Sequence, residues 1–249
     1  MTAVHHMVDG PASAPVVLLS NSLGATLEMW DAQLPALTER YRVVRYDTRG
    51  HGRSPVPPGP NRLDDLVDDV LGLLDRLGIA RVHFAGLSLG GMTGLRLAAR
   101  EPDRVERLTV LCTSAHLPPA SSWTGRAAVV RAHGTAAIAD AVLDRWFTPA
   151  YRDRAAARRM LESTPAEGYA GCCEAIAAMN LTADLPRITA PVLAIAGAGD
   201  PATPPDHLAR IAAAVPYGRL LVIDGAAHLA SMEQPAAVTD AILEPTWTR

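Results

Sequence analysis

The stretch that decides the fold is Phe84-Ala85-Gly86-Leu87-Ser88-Leu89-Gly90-Gly91. Residues 81–85 are β-branched and aromatic, as in a strand, and residues 91–100 have helical character. A strand, a sharp turn and a helix form the context of a nucleophile elbow, in which the serine at the apex has a strained backbone. Glycines two residues before and after Ser88 remove Cβ atoms that would collide there. The pattern predicts that the Ser88 hydroxyl projects from the sheet edge, beside free N–H groups that suit an oxyanion.

The same turn has a second interpretation. A glycine-rich connection between a strand and a helix can merely pack closely, or it can cradle a phosphate with Ser88 as a bystander. Five residues do not decide between these interpretations, so the rest of the chain has to.

Length and composition limit the possibilities. With 249 residues, of which 49% are hydrophobic, the chain can bury a core as one large α/β domain or as two small ones. A formal net charge of -3 gives no basic excess for nucleic acid. The sequence has no signal-peptide pattern and no apolar run of bilayer length, and its three cysteines lack metal-ligand spacing. We expect a cytoplasmic protein with reduced cysteines and without nucleic-acid or membrane partners, and the oligomeric state stays open.

The order of predicted elements indicates an α/β fold. Apolar runs typical of buried strands alternate with helices, of which residues 63–77 have the clearest apolar stripe. Acidic side chains opposite that stripe predict a solvated face and not a metal site. The alternation predicts a mostly parallel twisted sheet with helices on both faces. The predicted strands are residues 16–20, 41–46, 81–85, 107–113, 191–197 and 219–223, with a short edge strand at 4–8; further helices are predicted around 32–40, at 91–100 and at 234–243.

Residues 115–186 differ from the rest of the chain. They contain alanine- and arginine-rich helical segments without a convincing strand, and breaks are predicted at Gly134, Pro149, Pro165 and Gly171. A helical insertion near the carboxyl ends of two strands would act as a lid, so we expect a helical cap at 115–186 on a core of 1–114 and 187–249. Ordinary covering helices are the alternative.

Ser88, Asp200 and His228 each follow a predicted strand, in the chain order nucleophile, acid, base. A serine hydroxyl is a weak nucleophile until a neutral imidazole accepts its proton, and the imidazole needs a carboxylate that orients it. Asp224 and Asp206 are rivals for the acid, but the first lies at the end of a strand and the second at the start of a helix. The three residues together favour catalysis at the Ser88 turn.

Two further turns border the predicted site. The turn Asn21-Ser22-Leu23-Gly24 follows a central strand, and we expect it to aim the N–H of Leu23 into the site. His51 lies between two glycines in the polar turn 47–54. A histidine in that position more often shapes the loop than acts as a base, so we interpret His51 as structural.

Across nearly its whole length the chain resembles the α/β-hydrolases. The resemblance is carried by the elbow, by the turns at 47–54 and 197–205, and by Ala226-Ala227-His228-Leu229. Residues 19–30, Leu-Ser-Asn-Ser-Leu-Gly-Ala-Thr-Leu-Glu-Met-Trp, resemble more narrowly the 3-oxoadipate enol-lactonases of aromatic catabolism, because most of the superfamily has His-Gly where this chain has Asn-Ser. The resemblance implies that Ser88, Asp200 and His228 form the triad, that Leu23 and Leu89 supply the oxyanion-hole N–H groups, and that no metal or organic cofactor is needed.

The enol-lactonase resemblance implies a small lactone or ester as the partner, opened through an acyl-enzyme. A substrate that carries a carboxylate calls for a cation, and the predicted cap offers Arg126, Arg131, Arg145 and Arg152. We expect Arg145 or Arg131 to contact the substrate and Trp146 to form a pocket wall. For each arginine the alternative is a solvated helix residue, and for the tryptophan it is core packing.

Two other functions stay open at the level of sequence. One is a general carboxylesterase or a different lactonase on the same scaffold. The other is a ligand receptor that keeps the hydrolase shape but does not turn its ligand over. A panel of neutral esters separates the first from an enol-lactonase, and labelling of Ser88 without steady turnover would indicate the second.

Overall fold

The computed structural model describes residues 2–244, and one seven-stranded sheet lies at their centre. The strands are β1 (His6–Asp9), β2 (Val16–Ser20), β3 (Arg42–Tyr46), β4 (Val82–Leu87), β5 (Val105–Leu111), β6 (Val192–Gly197) and β7 (Gly218–Ile223). Their order across the sheet is β1-β3-β2-β4-β5-β6-β7. Strand β1 is antiparallel to β3, and all other neighbouring strands are parallel.

Helices connect these strands. They are α1 (Leu34–Leu37), α2 (Leu63–Arg76), α3 (Leu89–Arg100), α4 (Ala120–His133), α5 (Ala139–Trp146), α6 (Ala155–Glu162), α7 (Ala166–Ala178), α8 (Pro205–Ala214), α9 (Ala230–Glu233) and α10 (Pro235–Leu243). Short 3-10 segments lie at Leu27–Gln33, Pro102–Arg104, Thr135–Ile138 and Leu185–Arg187. None of the helices within residues 2–244 has the length and apolar character that crossing a bilayer requires.

The predicted α/β fold is confirmed. Every residue of β4 and β6 is buried, which explains why these strands, apart from His83, are apolar on both faces. The helix predicted around 32–40 is shorter than expected, since a 3-10 segment precedes a single turn of α-helix. Because the parallel strands run in one direction, their carboxyl ends share one edge of the sheet, where ligands bind in open α/β folds.

Helix α2 has the predicted apolar stripe, but its acidic face is not simply solvated. Asp64 binds Arg96 of α3 at 2.7 Å, and the buried Asp69 binds Arg49 at 2.6 Å. The prediction of a solvated face was therefore wrong for Asp69, whereas Asp64 is partly exposed. Their partners come from distant parts of the chain, and a helical pattern carries no information about them.

Helices α4 to α7 lie between β5 and β6, in the predicted region 115–186, and no strand interrupts them. The break predicted at Gly171 is wrong, because this residue lies inside α7. A Cβ there would lie 2.7 Å from Nδ2 of Asn61, so the glycine serves close packing of the helix. The division into a core and a cap stays a prediction, and residues 245–249, assigned to the core from sequence, lie outside the described residues.

Candidate active site

Ser88 occupies the turn between β4 and α3 with φ 55° and ψ -112°, a strained conformation for a residue that has a Cβ. The two flanking glycines permit close packing around this turn. A Cβ at Gly86 would lie 2.3 Å from the carbonyl oxygen of Gly90, and one at Gly90 would lie 2.4 Å from the carbonyl oxygen of Ser20. The strand, turn and helix predicted here are confirmed. Because Leu89 begins α3, its N–H has no acceptor within that helix.

Asp200 and His228, which follow β6 and β7, are in direct contact. Nδ1 of His228 lies 2.8 Å from Oδ2 of Asp200, and both side chains are buried. An ionised carboxylate can only accept hydrogen bonds, so Nδ1 carries the proton and Nε2 is left as an acceptor. The Thr203 hydroxyl also donates to Oδ2, at 2.7 Å, while the N–H groups of Ala202 and Thr203 donate to Oδ1.

These contacts keep Asp200 ionised. Burial by itself would raise the pKa of Asp200, but the charge of His228 and the hydrogen bonds of His228 and Thr203 lower this pKa to about 2. Asp206 and Asp224, the rivals considered from sequence, are exposed, and neither is hydrogen-bonded to His228 within the described residues. Asp200 is therefore the carboxylate that orients the imidazole.

The turn that follows β2 places a free N–H group beside the serine. Gly24 donates its N–H to Nε2 of His51 at 3.0 Å, and Ala25 donates to the carbonyl oxygen of Ser22 at 3.1 Å. The N–H of Leu23 has no acceptor among residues 2–244. Nδ1 of His51 lies 3.1 Å from the carbonyl oxygen of Arg49. His51 thus shapes the loop, as expected from its position between two glycines.

The burial of His51 predicts a pH-dependent stability. Burial lowers the pKa of His51 to about 4, although the hydrogen bond to the Arg49 backbone opposes this. Between about pH 6.5 and 4 the unfolded chain binds a proton at this residue that the folded chain does not, so stability falls as the pH is lowered. We expect His51 to contribute up to about 3 kcal/mol to this fall. Denaturant unfolding of wild type and His51→Gln across this window measures it, and equal pH slopes would contradict the expectation.

Ser88 and His228 line one cavity of about 260 Å³, together with Leu23. These residues belong to the sheet edge, and the opposite wall comes from α4, α5 and α7. The predicted wall residue Trp146 is part of it. The polar and aromatic side chains of that wall are Trp123, Arg126, Arg145, Trp146 and Tyr169.

Two arginines face this cavity without an acidic partner among residues 2–244. Arg126 stacks over Trp123, with Cζ 4.6 Å from the ring centroid. Arg145 makes no ion pair with a described residue. Burial and the nearby charge of Arg126 lower the pKa of Arg145. An anion in the cavity would relieve the repulsion between these two charges.

The structure does not bring Arg131 to the cavity, and its selection as a substrate contact needs correction. Its guanidinium binds Glu167 at 2.8 Å and Glu174 at 2.5 Å, which links α4 to α7. Arg131 lies on α4 five residues after Arg126, about 1.4 helical turns further on, and therefore points in a different direction. Arg126, another of the four arginines that the sequence offered, lines the cavity instead.

Residues 15–127 and 129–235 match the family described as alpha/beta hydrolase fold. The chain belongs to the α/β-hydrolase family. This hydrolase is 40% identical over 245 residues to "3-oxoadipate enol-lactonase 2" of Acinetobacter baylyi, with 96% of this chain and 91% of the relative covered. The assignment to hydrolases that act on ester bonds, and the resemblance to enol-lactonases, are thereby confirmed.

Solved structures of related hydrolases superpose closely on this chain. The enol-lactonase of Burkholderia xenovorans LB400 superposes with a TM-score of 0.94 and 43% identity, covering 96% of this chain and 95% of that chain. A thermophilic esterase of Thermogutta terrifontis, solved with malate bound, superposes with a TM-score of 0.90 and 30% identity, covering 96% and 91%. This hydrolase therefore has the fold of an enol-lactonase and of an esterase.

Sequence reasoning missed two aromatic residues of the hydrolase cavity, Trp123 and Tyr169. They lie on α4 and α7, and the packing of these two helices brings their side chains to one wall. The signal that the sequence offered was an aromatic residue in each of two helices of the predicted cap. A helical pattern does not say which turn of a helix faces a cavity, so the signal was not sufficient.

Proposed function

We propose that the protein opens a small lactone that carries a carboxylate, with 3-oxoadipate enol-lactone as the substrate, through an acyl-enzyme on Ser88. The observation that carries the proposal is the pair of arginines, Arg126 and Arg145, in the cavity that Ser88 and His228 line. Two cations without an acidic partner among residues 2–244 favour an anionic substrate. The names of relatives at 40% and 43% identity support the same substrate class.

The first half of the proposed reaction is acylation. The Ser88 oxygen attacks the lactone carbonyl carbon while its proton passes to Nε2 of His228, and Asp200 stabilises the imidazolium that forms. The N–H groups of Leu23 and Leu89 hold the oxyanion, and each such donor contributes on the order of 3 kcal/mol to the transition state. Collapse of this intermediate breaks the bond between the carbonyl carbon and the ring oxygen. The enol oxygen leaves with the proton from His228, and the enol becomes the ketone.

The second half is deacylation. A water molecule attacks the ester carbonyl of the acyl-enzyme and gives its proton to Nε2 of His228, with the same two N–H groups holding the oxyanion. Breakage of the bond to the Ser88 oxygen returns that proton to serine. The product is an oxo acid with one more carboxylate than the lactone. In this proposal residues 115–186 form a cap that supplies the arginine wall over a core of 1–114 and 187–249.

Replacing Arg145 tests the proposed carboxylate contact. Arg145→Met keeps an unbranched apolar stem and removes the charge, so we expect the KM for the acidic lactone to rise about 10- to 100-fold, as for loss of a charged hydrogen bond. The kcat/KM for a neutral ester should stay within about threefold of wild type, because this substrate makes no such contact. Lactone consumption followed by ultraviolet absorbance and ester hydrolysis followed by a chromogenic alcohol measure the two values.

Arg131→Met is the matched control, since Arg131 lies on the same group of helices but outside the cavity. We expect wild-type KM values for both substrates in this variant. An equal loss of lactone and ester activity in Arg145→Met would contradict a carboxylate contact and would indicate a role in folding or in shaping the pocket.

A general carboxylesterase is a second candidate function. The observation that favours it is the 30% identity to an esterase, although that esterase was solved with malate, itself a carboxylate ligand. A panel of neutral esters distinguishes the candidates. A preference of wild type for neutral acyl chains over the acidic lactone would support the esterase and remove the reason for two arginines in the cavity.

A further inference from the structure

Glu233, the last residue of α9, has a buried carboxylate that the proposed reaction does not use. Its Oε2 accepts the N–H of Ala227 at 2.7 Å. Its Oε1 accepts the N–H of Thr148 at 2.9 Å and also the hydroxyl of Thr148. The two oxygens therefore join the residue before His228 to the segment that follows α5.

A second contact joins the same two segments on the other side of His228. Leu229 donates its N–H to the carbonyl oxygen of Trp146 at 2.8 Å. His228 is thus held between two hydrogen-bonded neighbours, Ala227 and Leu229, and both bonds lead to the end of α5. Arg145 and Trp146 occupy that end of the helix and line the cavity.

The way in which Glu233 is buried indicates a specific role. A buried carboxylate is costly unless charges or hydrogen bonds compensate it. No cation forms an ion pair with Glu233 among residues 2–244, so the three donors from Ala227 and Thr148 provide the compensation. An apolar side chain would fill the space at lower cost but would leave those donors without a partner.

We propose that Glu233 is a positioning residue. It fixes the turn that contains His228 to the end of α5 that contains Arg145, so that the base and this wall of the cavity keep one relative geometry. The proposal rests on the proposed function in that it takes His228 as the base and Arg145 as the substrate contact. A displacement of about 1 Å at such a site can cost up to about 100-fold in rate. Glu233 thereby affects both the proton transfer and the binding of the substrate anion.

Two variants distinguish the contact of Glu233 with Ala227 from its contact with Thr148. Glu233→Gln keeps the shape of the side chain, but its amide nitrogen cannot accept a hydrogen bond and must face either Ala227 or Thr148. Thr148→Val removes only the hydroxyl donor and leaves the bond between Ala227 and Glu233 in place. The control is Thr239→Val in α10, whose hydroxyl donates to the carbonyl oxygen of Pro235 at 2.7 Å, away from Glu233.

Kinetic constants are measured per active site, with active sites counted by a fluorophosphonate, for a neutral ester and for the acidic lactone. We expect Glu233→Gln to lower kcat for the neutral ester about tenfold and to raise KM for the lactone. We expect Thr148→Val to raise KM for the lactone about threefold and to leave kcat for the ester near wild type, whereas Thr239→Val leaves both constants unchanged. If Glu233 only stabilised the fold, the variants would have a lower melting temperature and fewer active sites. The KM for the lactone and the kcat for the ester would then not respond differently to the two substitutions.

The positioning role is contradicted if Thr148→Val leaves the lactone KM within twofold of wild type and folded Glu233→Gln leaves the ester kcat within twofold. Failure of the proposed function gives a different result. In that case the wild-type protein hydrolyses the ester but does not consume the lactone, and the ester kcat of Glu233→Gln still tests whether Glu233 positions His228.

Discussion

Ser88→Ala is expected to lower kcat for a neutral chromogenic ester by about 10⁵- to 10⁶-fold, and His228→Ala by a similar factor. The reason is that the two residues act as one unit, in which the serine oxygen attacks only as the imidazole takes its proton. The double variant should then be no slower than either single variant. Ester hydrolysis at high enzyme concentration, with melting curves for each variant, measures these values. A fluorophosphonate should label wild type and leave Ser88→Ala unlabelled.

Ser114 provides a matched control for this experiment. Its hydroxyl lies 2.9 Å from Nδ1 of His207, so it forms a serine-histidine contact that lies outside the cavity. Ser114→Ala should keep kcat within about threefold of wild type. A loss of activity in Ser114→Ala equal to that in Ser88→Ala, or multiplicative losses in the double variant of Ser88 and His228, would contradict the assignment of the nucleophile.

Asp200→Asn is expected to lower kcat by about 10⁴-fold while the protein stays folded. Asparagine matches the shape of aspartate, but an amide nitrogen at the position of Oδ2 would face the proton on Nδ1 of His228. The imidazole would then change to the tautomer that carries its proton on Nε2, and this nitrogen could no longer accept the proton of Ser88. The same ester assay measures the loss, and the chemical shifts of the His228 ring nitrogens report the tautomer.

Asp206→Asn and Asp224→Asn are the controls for the acid, because both carboxylates follow β6 or β7 but are exposed. We expect wild-type rates in both. A large loss in either control, with activity retained in Asp200→Asn, would assign the orienting role to a different carboxylate.

Local sequence predicted the elements that place the candidate triad. An elbow needs glycines at fixed offsets from one serine, and the ends of predicted strands put Asp200 and His228 at the same sheet edge as Ser88. These features depend on neighbours in the chain, so they can be inferred without a structure. The parallel topology then follows from the alternation of strands and helices.

Contacts between distant segments could not be predicted in this way. Arg131 and Arg126 lie on one helix, and only the packing of α4 against α7 decides that the first binds Glu167 while the second faces the cavity. Gly171 looked like a helix break because the sequence does not show that Asn61 packs against it. The contacts of Glu233 could not be predicted from the sequence, because the three groups that donate to its carboxylate belong to two segments far apart along the chain.

The most direct test of the account is the ultraviolet absorbance of 3-oxoadipate enol-lactone, which is lost when the ring opens, recorded with wild type and Ser88→Ala in parallel. The account predicts rapid decay with wild type and only the uncatalysed rate with Ser88→Ala. Decay at the uncatalysed rate with wild type, or equal decay with both proteins, would contradict it.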